Sequence, residues 1–252
     1  MPAPPKNATR AAEKQRKKEK REQAAREARE GDAALKLAKE KVQQANEATD
    51  LLESFPVFRK YERNGINVVM EGCAASDVPK ELMQKIFNLA KANMESLYNE
   101  AKFGPFDSEG WDDRLKMREL TEKEARYVIV RSGSSGDGTE GEGEGEFLGF
   151  MQYRWEVEDE EEIAYLYELQ LLPEVTGKGL GKFLVSLLEL AARKFGMVAV
   201  FCTVLKSNTR AVKFYKDKMK FSVDETSPDV TEDALSDEVP EYTYEILSKR
   251  FS

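Results

Sequence analysis

The sequence predicts an α/β (α+β) domain, a mixed central sheet flanked by helices, with a basic helical extension at its N-terminus. Three observations predict it. After residue 50, short runs rich in Val, Ile, Phe and Tyr alternate with runs whose apolar residues recur at helical spacing, an order that layers helices on a sheet. A glycine-rich turn, Gly177-Lys178-Gly179-Leu180-Gly181, joins a strand to the start of an amphipathic helix. The 252 residues are 40% hydrophobic and 34% charged, which suits a cored body with long solvated segments.

The extension occupies residues 1–50. From Lys6 to about Asn46 it is rich in Ala, Lys, Glu and Arg, with the cluster Arg16-Lys17-Lys18-Glu19-Lys20-Arg21 near its start. These are strong helix formers with few large apolar side chains, so a solvated, partly disordered helix is expected. A nuclear-localisation or RNA-contacting arm, with its Leu35 to Leu52 end docking on the body, is the sharper reading of the same residues.

The body, residues 51–252, opens on Phe55, Val57, Phe58 and Tyr61, with a turn at Arg63-Asn64-Gly65 and a strand at Ile66 to Glu71. Ser76 or Asp77 is placed to cap a helix with Pro79 in its first turn, along which Leu82, Ile86, Leu89, Asn93 and Leu97 recur. A charged helix follows from Trp111 to Leu120. Strands at Ala125 to Arg131 and Phe147 to Val157 flank residues 132–146, a Gly, Ser and Glu-rich stretch expected to be a disordered loop. After an acidic turn at Asp159 to Glu162 comes a strand to Leu172, closed by Pro173. The glycine turn then starts a helix with Leu184, Leu187, Leu188 and Ala191 on one face and Gly196 at its end. A buried-type strand from Met197 to Leu205, a helix from Asn208 to Met219, and strands at Phe221 to Asp224 and Tyr242 to Leu247 complete the chain.

The composition excludes much chemistry. With no histidine, Ser-His-Asp and Cys-His nucleophiles, the HExxH zinc site and an imidazole base are all absent. Only Cys73 and Cys202 could pair, which fits a reducing compartment and gives no metal-ligand spacing. No apolar run has the length of a membrane span, and no secretory signal opens the chain. A monomer of the cytoplasm and nucleus is expected, with no membrane association. The net charge is −8 although the first fifty residues are basic, so the body is acidic and favours a basic partner.

A glycine turn that opens a helix after a strand is an anion site, because free backbone N–H groups and the helix dipole point the same way. A P-loop would need glycine at Thr176 and Ser or Thr at Phe183, and the Rossmann spacing does not fit Gly179 and Gly181. What remains, Thr176-Gly177-Lys178-Gly179-Leu180-Gly181, resembles the pyrophosphate loop of GNAT acetyltransferases, with Thr at a first position where that family carries Gln or Arg. Asn208-x-x-Ala211-x-x-Phe214-Tyr215, leading to Phe221, resembles the second GNAT signature.

Within that fold, Tyr165-Leu166-Tyr167-Glu168-Leu169-Gln170-Leu171 and Lys178-Gly179-Leu180-Gly181-Lys182-Phe183-Leu184 look like the core of the NatD type, which acetylates the α-amine of histone N-termini. So do Phe55-Pro56-Val57-Phe58, Asn93-Met94, Gly110-Trp111, Thr203-Val204 and Tyr244-Glu245-Ile246-Leu247-Ser248. The resemblance implies the GNAT acyl-CoA N-acyltransferase fold, acetyl-CoA as co-substrate, no metal, and Ser-Gly-Arg-Gly histone tails as substrate. It implies Glu168 as the catalytic residue, with Tyr215 near the departing sulfur. It places acetyl-CoA on Leu169, Gln170, Leu171, Gly177, Lys178, Gly179, Leu180, Gly181, Lys182 and Asn208. Tyr98, Tyr165, Tyr167, Thr203 and Tyr244 match substrate positions, and Glu156 and Glu158 match acidic positions that hold the substrate arginine; Phe103 stands near an aromatic one.

The chemistry agrees, since an α-ammonium with a pKa near ~8 needs only a weak base. Strand alternation, however, puts Tyr167 and Glu168 on opposite faces, so sharing one substrate requires a bulge or a relayed water. Two other readings stand beside this one: a GNAT enzyme for lysine side chains or a small amine, and a non-catalytic GNAT scaffold with an RNA- or ribosome-binding arm.

Overall fold

The computed structural model describes residues 6–133, 145–230 and 242–251. Its strands are β1 Lys60–Arg63, β2 Ile66–Ala74, β3 Arg126–Ser132, β4 Phe147–Glu158, β5 Glu161–Leu171, β6 Ala199–Leu205, β7 Ser222–Val223 and β8 Tyr244–Arg250. They form one sheet in the order β1-β2-β3-β4-β5-β6-β8-β7, antiparallel throughout except for the parallel pair β5 and β6. The helices are α1 Lys6–Glu47, α2 Lys80–Ala101, α3 Asp113–Leu120, α4 Leu180–Lys194 and α5 Thr209–Lys213. α4 is the crossover that a parallel pair requires.

Two cores lie on opposite faces of the sheet. Leu180, Leu184, Leu187, Leu188 and Ala191 of α4 pack on Val128, Met151, Tyr153, Leu166 and Val200. On the other face Leu82, Ile86, Leu89 and Ala90 of α2 meet Tyr127, Ile129 and Phe150. The spacing along α2 is therefore core spacing, as the sequence implies.

The body begins earlier than its first aromatic residues. Leu51 and Leu52, in a short 3-10 turn capped by the Asp50 side chain, are 1% and 0% exposed, whereas Val57 is 80% exposed. The end of α1 is docked as expected: Ala38 and Ala45 are buried, Lys41 pairs with Glu162, and Arg126 Nη2 donates to the Asn46 carbonyl at 2.9 Å. Truncating Leu52 to Ala should cost about 2–5 kcal/mol, because a fully buried leucine leaves a cavity; chemical denaturation of the variant measures this.

Some boundaries differ from expectation. Neither Ser76 nor Asp77 caps α2; both sit in a separate 3-10 turn, and Pro79, which has no N–H to satisfy, stands at the cap position. The helix expected from Asn208 to Met219 is α5 followed by a π-helical turn, Phe214–Lys218. The turn between β4 and β5 is Asp159-Glu160, with φ of 45° and 67°, the two positive values of a tight hairpin. Of the expected loop at 132–146, residues 134–144 lie outside the described residues; at its base Ser132 N–H donates to the Glu146 carbonyl at 2.9 Å.

One irregularity positions the site. β4 and β5 pair in register from Glu158↔Glu161 to Tyr153↔Leu166, then resume at Gln152↔Glu168, leaving Tyr167 without a partner. This bulge reverses the alternation of β5. Before it Leu166 packs with the α4 core; after it Leu169 and Leu171 do so. Tyr165, Tyr167, Glu168 and Gln170 consequently share the α2 and α3 face, and the conflict between Tyr167 and Glu168 disappears.

Candidate active site

β5 and β6 pair only from Ile163↔Ala199 to Leu166↔Cys202. Beyond Leu166 the strands part, and the edge of β5 from Tyr167 to Leu171 has no partner strand on that side. A cavity of about 330 Å³ opens in the gap. Its lining brings together Tyr98, Glu156, Glu158, Tyr165, Tyr167, Glu168, Leu169, Gln170, Thr203, Asn208 and Tyr215, each singled out from the sequence. Leu171, Tyr244 and the turn residues Gly177 to Lys182 are not in the lining, although the Tyr244 ring lies tilted against the cavity residue Phe103 with ring centroids 4.9 Å apart.

The glycine turn is built for close approach. Gly177 and Gly179 have φ of 77° and 90°, in the left-handed region that glycine tolerates. Tyr61 Oη and Asn64 Nδ2 donate to the Lys178 carbonyl at 2.7 and 2.8 Å, so the β1–β2 hairpin clamps the turn from below. No side chain caps α4, and the N–H groups of its first turn stay available to an anion. A Cβ on Gly181 would sit 3.7 Å from Leu169 and 3.6 Å from Phe214, so this helix start borders the open edge of β5. Thr176, at the position that departs from the family pattern, donates its hydroxyl to the Leu172 carbonyl at 2.8 Å and serves the turn itself. Asn208 is the N-cap of α5, its Oδ1 accepting from Ala211 N–H at 3.1 Å.

At the cavity floor lies a cluster of charge. Glu168 is 4% exposed, accepts a hydrogen bond from Gln170 Nε2 at 2.7 Å and pairs with Lys116 of α3. Lys116, 1% exposed, also pairs with Glu119 and lies 3.4 Å from Tyr98 Oη. Burial opposes the charge on Lys116, but Glu168, Tyr98 and Glu119 outweigh it and hold the ammonium pKa well above the ordinary value. Burial raises the pKa of Glu119 despite Lys116 beside it. Neither Lys116 nor Glu119 stood out in the sequence. The available signal was the spacing of Lys116 to Leu120, which puts the lysine on the buried face of α3.

The walls are phenolic. Tyr167 Oη donates to Glu156 at 3.0 Å, the Arg154 guanidinium lies 4.0 Å over the Tyr167 ring, and Tyr165 shares a hydrogen bond with Thr203. Burial pushes the hydroxyls of Tyr98, Tyr165, Tyr167 and Tyr215 above their ordinary range, so all four are proton donors at neutral pH. Burial likewise raises Glu156 and Glu158. Glu156 is already engaged, by Tyr167 and by Arg154 at 3.8 Å; Glu158, at the exposed strand end, is the open half of the expected clamp. Cys202 is buried and its thiol pushed up, as suits a packing residue.

The model of the Acetyltransferase (GNAT) family matches residues 83–221, a span that runs from α2 through the glycine turn to Phe221. The chain belongs to the GNAT family of acetyltransferases. Similar solved structures include a GNAT acetyltransferase from Listeria monocytogenes, 13% identical, covering 76% of this chain and 99% of that one with a TM-score of 0.47. Others are the NatC complex bound to Gag peptide and CoA, 14% identical with 73% and 99% covered and a TM-score of 0.49, and Arabidopsis thaliana Naa50 in complex with the bisubstrate analogue CoA-Ac-MVNAL, 17% identical with 73% and 99% covered and a TM-score of 0.41. At this distance they say nothing about what this GNAT protein acetylates.

GNAT enzymes draw their acetyl group from acetyl-CoA, and the donor set fits it. The unpaired edge of β5 offers backbone groups to an amide-bearing arm, and the uncapped, glycine-opened α4 offers N–H groups to a pyrophosphate. Among the described residues no group of three His, Cys, Asp or Glu is placed to hold a metal ion, and no helix is long and apolar enough to cross a membrane.

Proposed function

We propose that the protein is an N-terminal acetyltransferase of the NatD type, moving acetyl from acetyl-CoA to the α-amine of Ser-Gly-Arg-Gly histone tails. The observation that carries this reading is the layout of one cavity: a buried carboxylate, Glu168, on its floor, tyrosines on its walls and Glu156 and Glu158 toward its mouth. An α-ammonium titrates near ~8, so a single weak base suffices to free the amine. Acetyl-CoA supplies a thioester carbonyl for that amine to attack.

On this reading Glu168 takes the proton of the ammonium, directly or through one water, while Tyr167 and Tyr98 confine the terminal residue. Tyr215, a phenol kept protonated by burial, donates to the departing thiolate. Leu169, Gln170 and Leu171 hold the pantetheine arm with Asn208, and Gly177 to Lys182 hold the pyrophosphate. Glu158 meets the substrate arginine, with Glu156 behind it fixed by Tyr167. The acidic body attracts the basic tail over distance. The same reading has the protein act as a monomer in cytoplasm and nucleus, with the basic arm contacting ribosomal RNA.

The test is to mix protein, acetyl-CoA and a peptide beginning Ser-Gly-Arg-Gly-Lys, then locate the added acetyl by fragment mass spectrometry. Acetyl on the terminal serine is expected, with turnover reduced when the arginine is replaced by alanine. Acetyl on the lysine side chain would overturn the substrate class and favour the lysine reading. Acetyl-CoA binding without any transfer would favour another acceptor or a scaffold.

A further inference from the structure

The strongest feature that the proposed chemistry leaves unused is the buried ammonium of Lys116. A lysine at 1% exposure is held in place by carboxylates, and this one has two: Glu119 on its own helix and Glu168 on β5. The groups that face this cluster are Tyr98 from α2, Glu119 from α3, Tyr127 from β3, Arg154 from β4 and Tyr215 after α5. Burial keeps the three tyrosines neutral. Arg154 is turned away, its guanidinium bonded to Glu122 at 2.7 Å and to the Glu119 carbonyl at 2.8 Å. Among the described residues Lys116 is the cation in contact with Glu168.

We propose that Lys116 is a positioning residue for acetyl transfer: its ammonium, shared between Glu168 and Glu119, fixes Glu168 as an oriented carboxylate at the cavity floor. Gln170 is the second tether. Its Nε2 donates to Glu168 Oε2, while its own Oε1 accepts from Asn93 Nδ2 of α2 at 2.9 Å. Between them the two tethers engage both oxygens of Glu168, one from α3 and one from its own strand. Lys116 itself is not a base, because its environment keeps it protonated. Without the ammonium, two carboxylates would share a buried site, and like charges so placed cannot both remain ionised as readily. The inference rests on Glu168 acting on the amine.

Lys116→Met keeps an unbranched side chain, one atom shorter, and removes its charge. Because stranding two buried carboxylates also destabilises the fold, Lys116→Met/Glu119→Gln and Lys116→Arg are made beside it. In Lys116→Met the acid limb of kcat/KM for the Ser-Gly-Arg-Gly-Lys peptide should move to higher pH by ~1 unit or more, with kcat at pH 7 reduced roughly tenfold or more. The double variant should bring the limb part of the way back, and arginine should restore it more fully. Carboxyl 13C titration of glutamate-labelled protein reads the same pair without turnover. A raised midpoint for the glutamate signal lost in Glu168→Gln supports the proposal, even if the peptide proves not to be a substrate and the acceptor reading fails. An unchanged midpoint, with activity lost equally at every pH, overturns it and leaves Lys116 a packing residue.

Discussion

Glu168→Gln should lower kcat for acetyl transfer by roughly 10²–10⁴, the usual worth of a positioned general base, while leaving acetyl-CoA binding within a few fold. The amide has the shape of the carboxylate and can still accept from Gln170, which donates at 2.7 Å in the parent. Lys116 is not stranded by the change, since Glu119 remains paired with it. Thermal unfolding and calorimetric binding of acetyl-CoA would establish that the variant is folded and loaded. A variant that binds normally and turns over within threefold of the parent would remove Glu168 from the proton path and leave bulk water as the base.

The second large effect falls on binding. A Cβ at Gly179 would lie 2.7 Å from Tyr61 Oη and 3.3 Å from Asn64 Nδ2, at a φ of 90°. Gly179→Val therefore combines a clash with the clamp beneath the turn and a backbone angle that a β-branched residue resists, about 1–3 kcal/mol of strain alone. The turn should give way, and acetyl-CoA affinity should fall by roughly 10- to 100-fold, since 1.4 kcal/mol is tenfold. Gly177→Ala is the control, because its Cβ would meet nothing within 4 Å and only its φ of 77° is strained. If both variants bind acetyl-CoA as the parent does, the turn does not hold the pyrophosphate.

The fold was legible because its signals are local. Alternating strand and helix runs, Gly196 with its φ of 77°, and glycines spaced around a helix start each constrain a few consecutive residues. The cavity tyrosines and Glu168 were legible through family resemblance, and the structure gathers nearly all of them at one gap in the sheet. Lys116 was not. In the string Asp113-Arg114-Leu115-Lys116-Met117-Arg118 it reads as one more solvated charge, and its burial is decided by Tyr98, 18 positions earlier, and Glu168, 52 later. The register slip at Tyr167 was equally hidden, for a strand does not announce where its partner stops matching it. The capping of α2 misled for the opposite reason: Ser76 and Asp77 are good caps, but a turn at Ala75–Asp77 had already used them.

The slip at Tyr167 makes β5 a strand of two phases. Below it the even-numbered residues Ala164 and Leu166 feed the α4 core; above it the odd-numbered Leu169 and Leu171 do. A substitution at Tyr167 alters one wall of the cavity, whereas deleting that single residue would restore simple alternation, with Glu168 and Gln170 still facing α2 and α3 and Leu169 and Leu171 still in the α4 core, and would remove the phenol alone. The extra residue is what lets two consecutive side chains, a phenol and a carboxylate, face one cavity. A relative that lacked the extra position would keep its carboxylate on this strand and would have to bring the phenol from another.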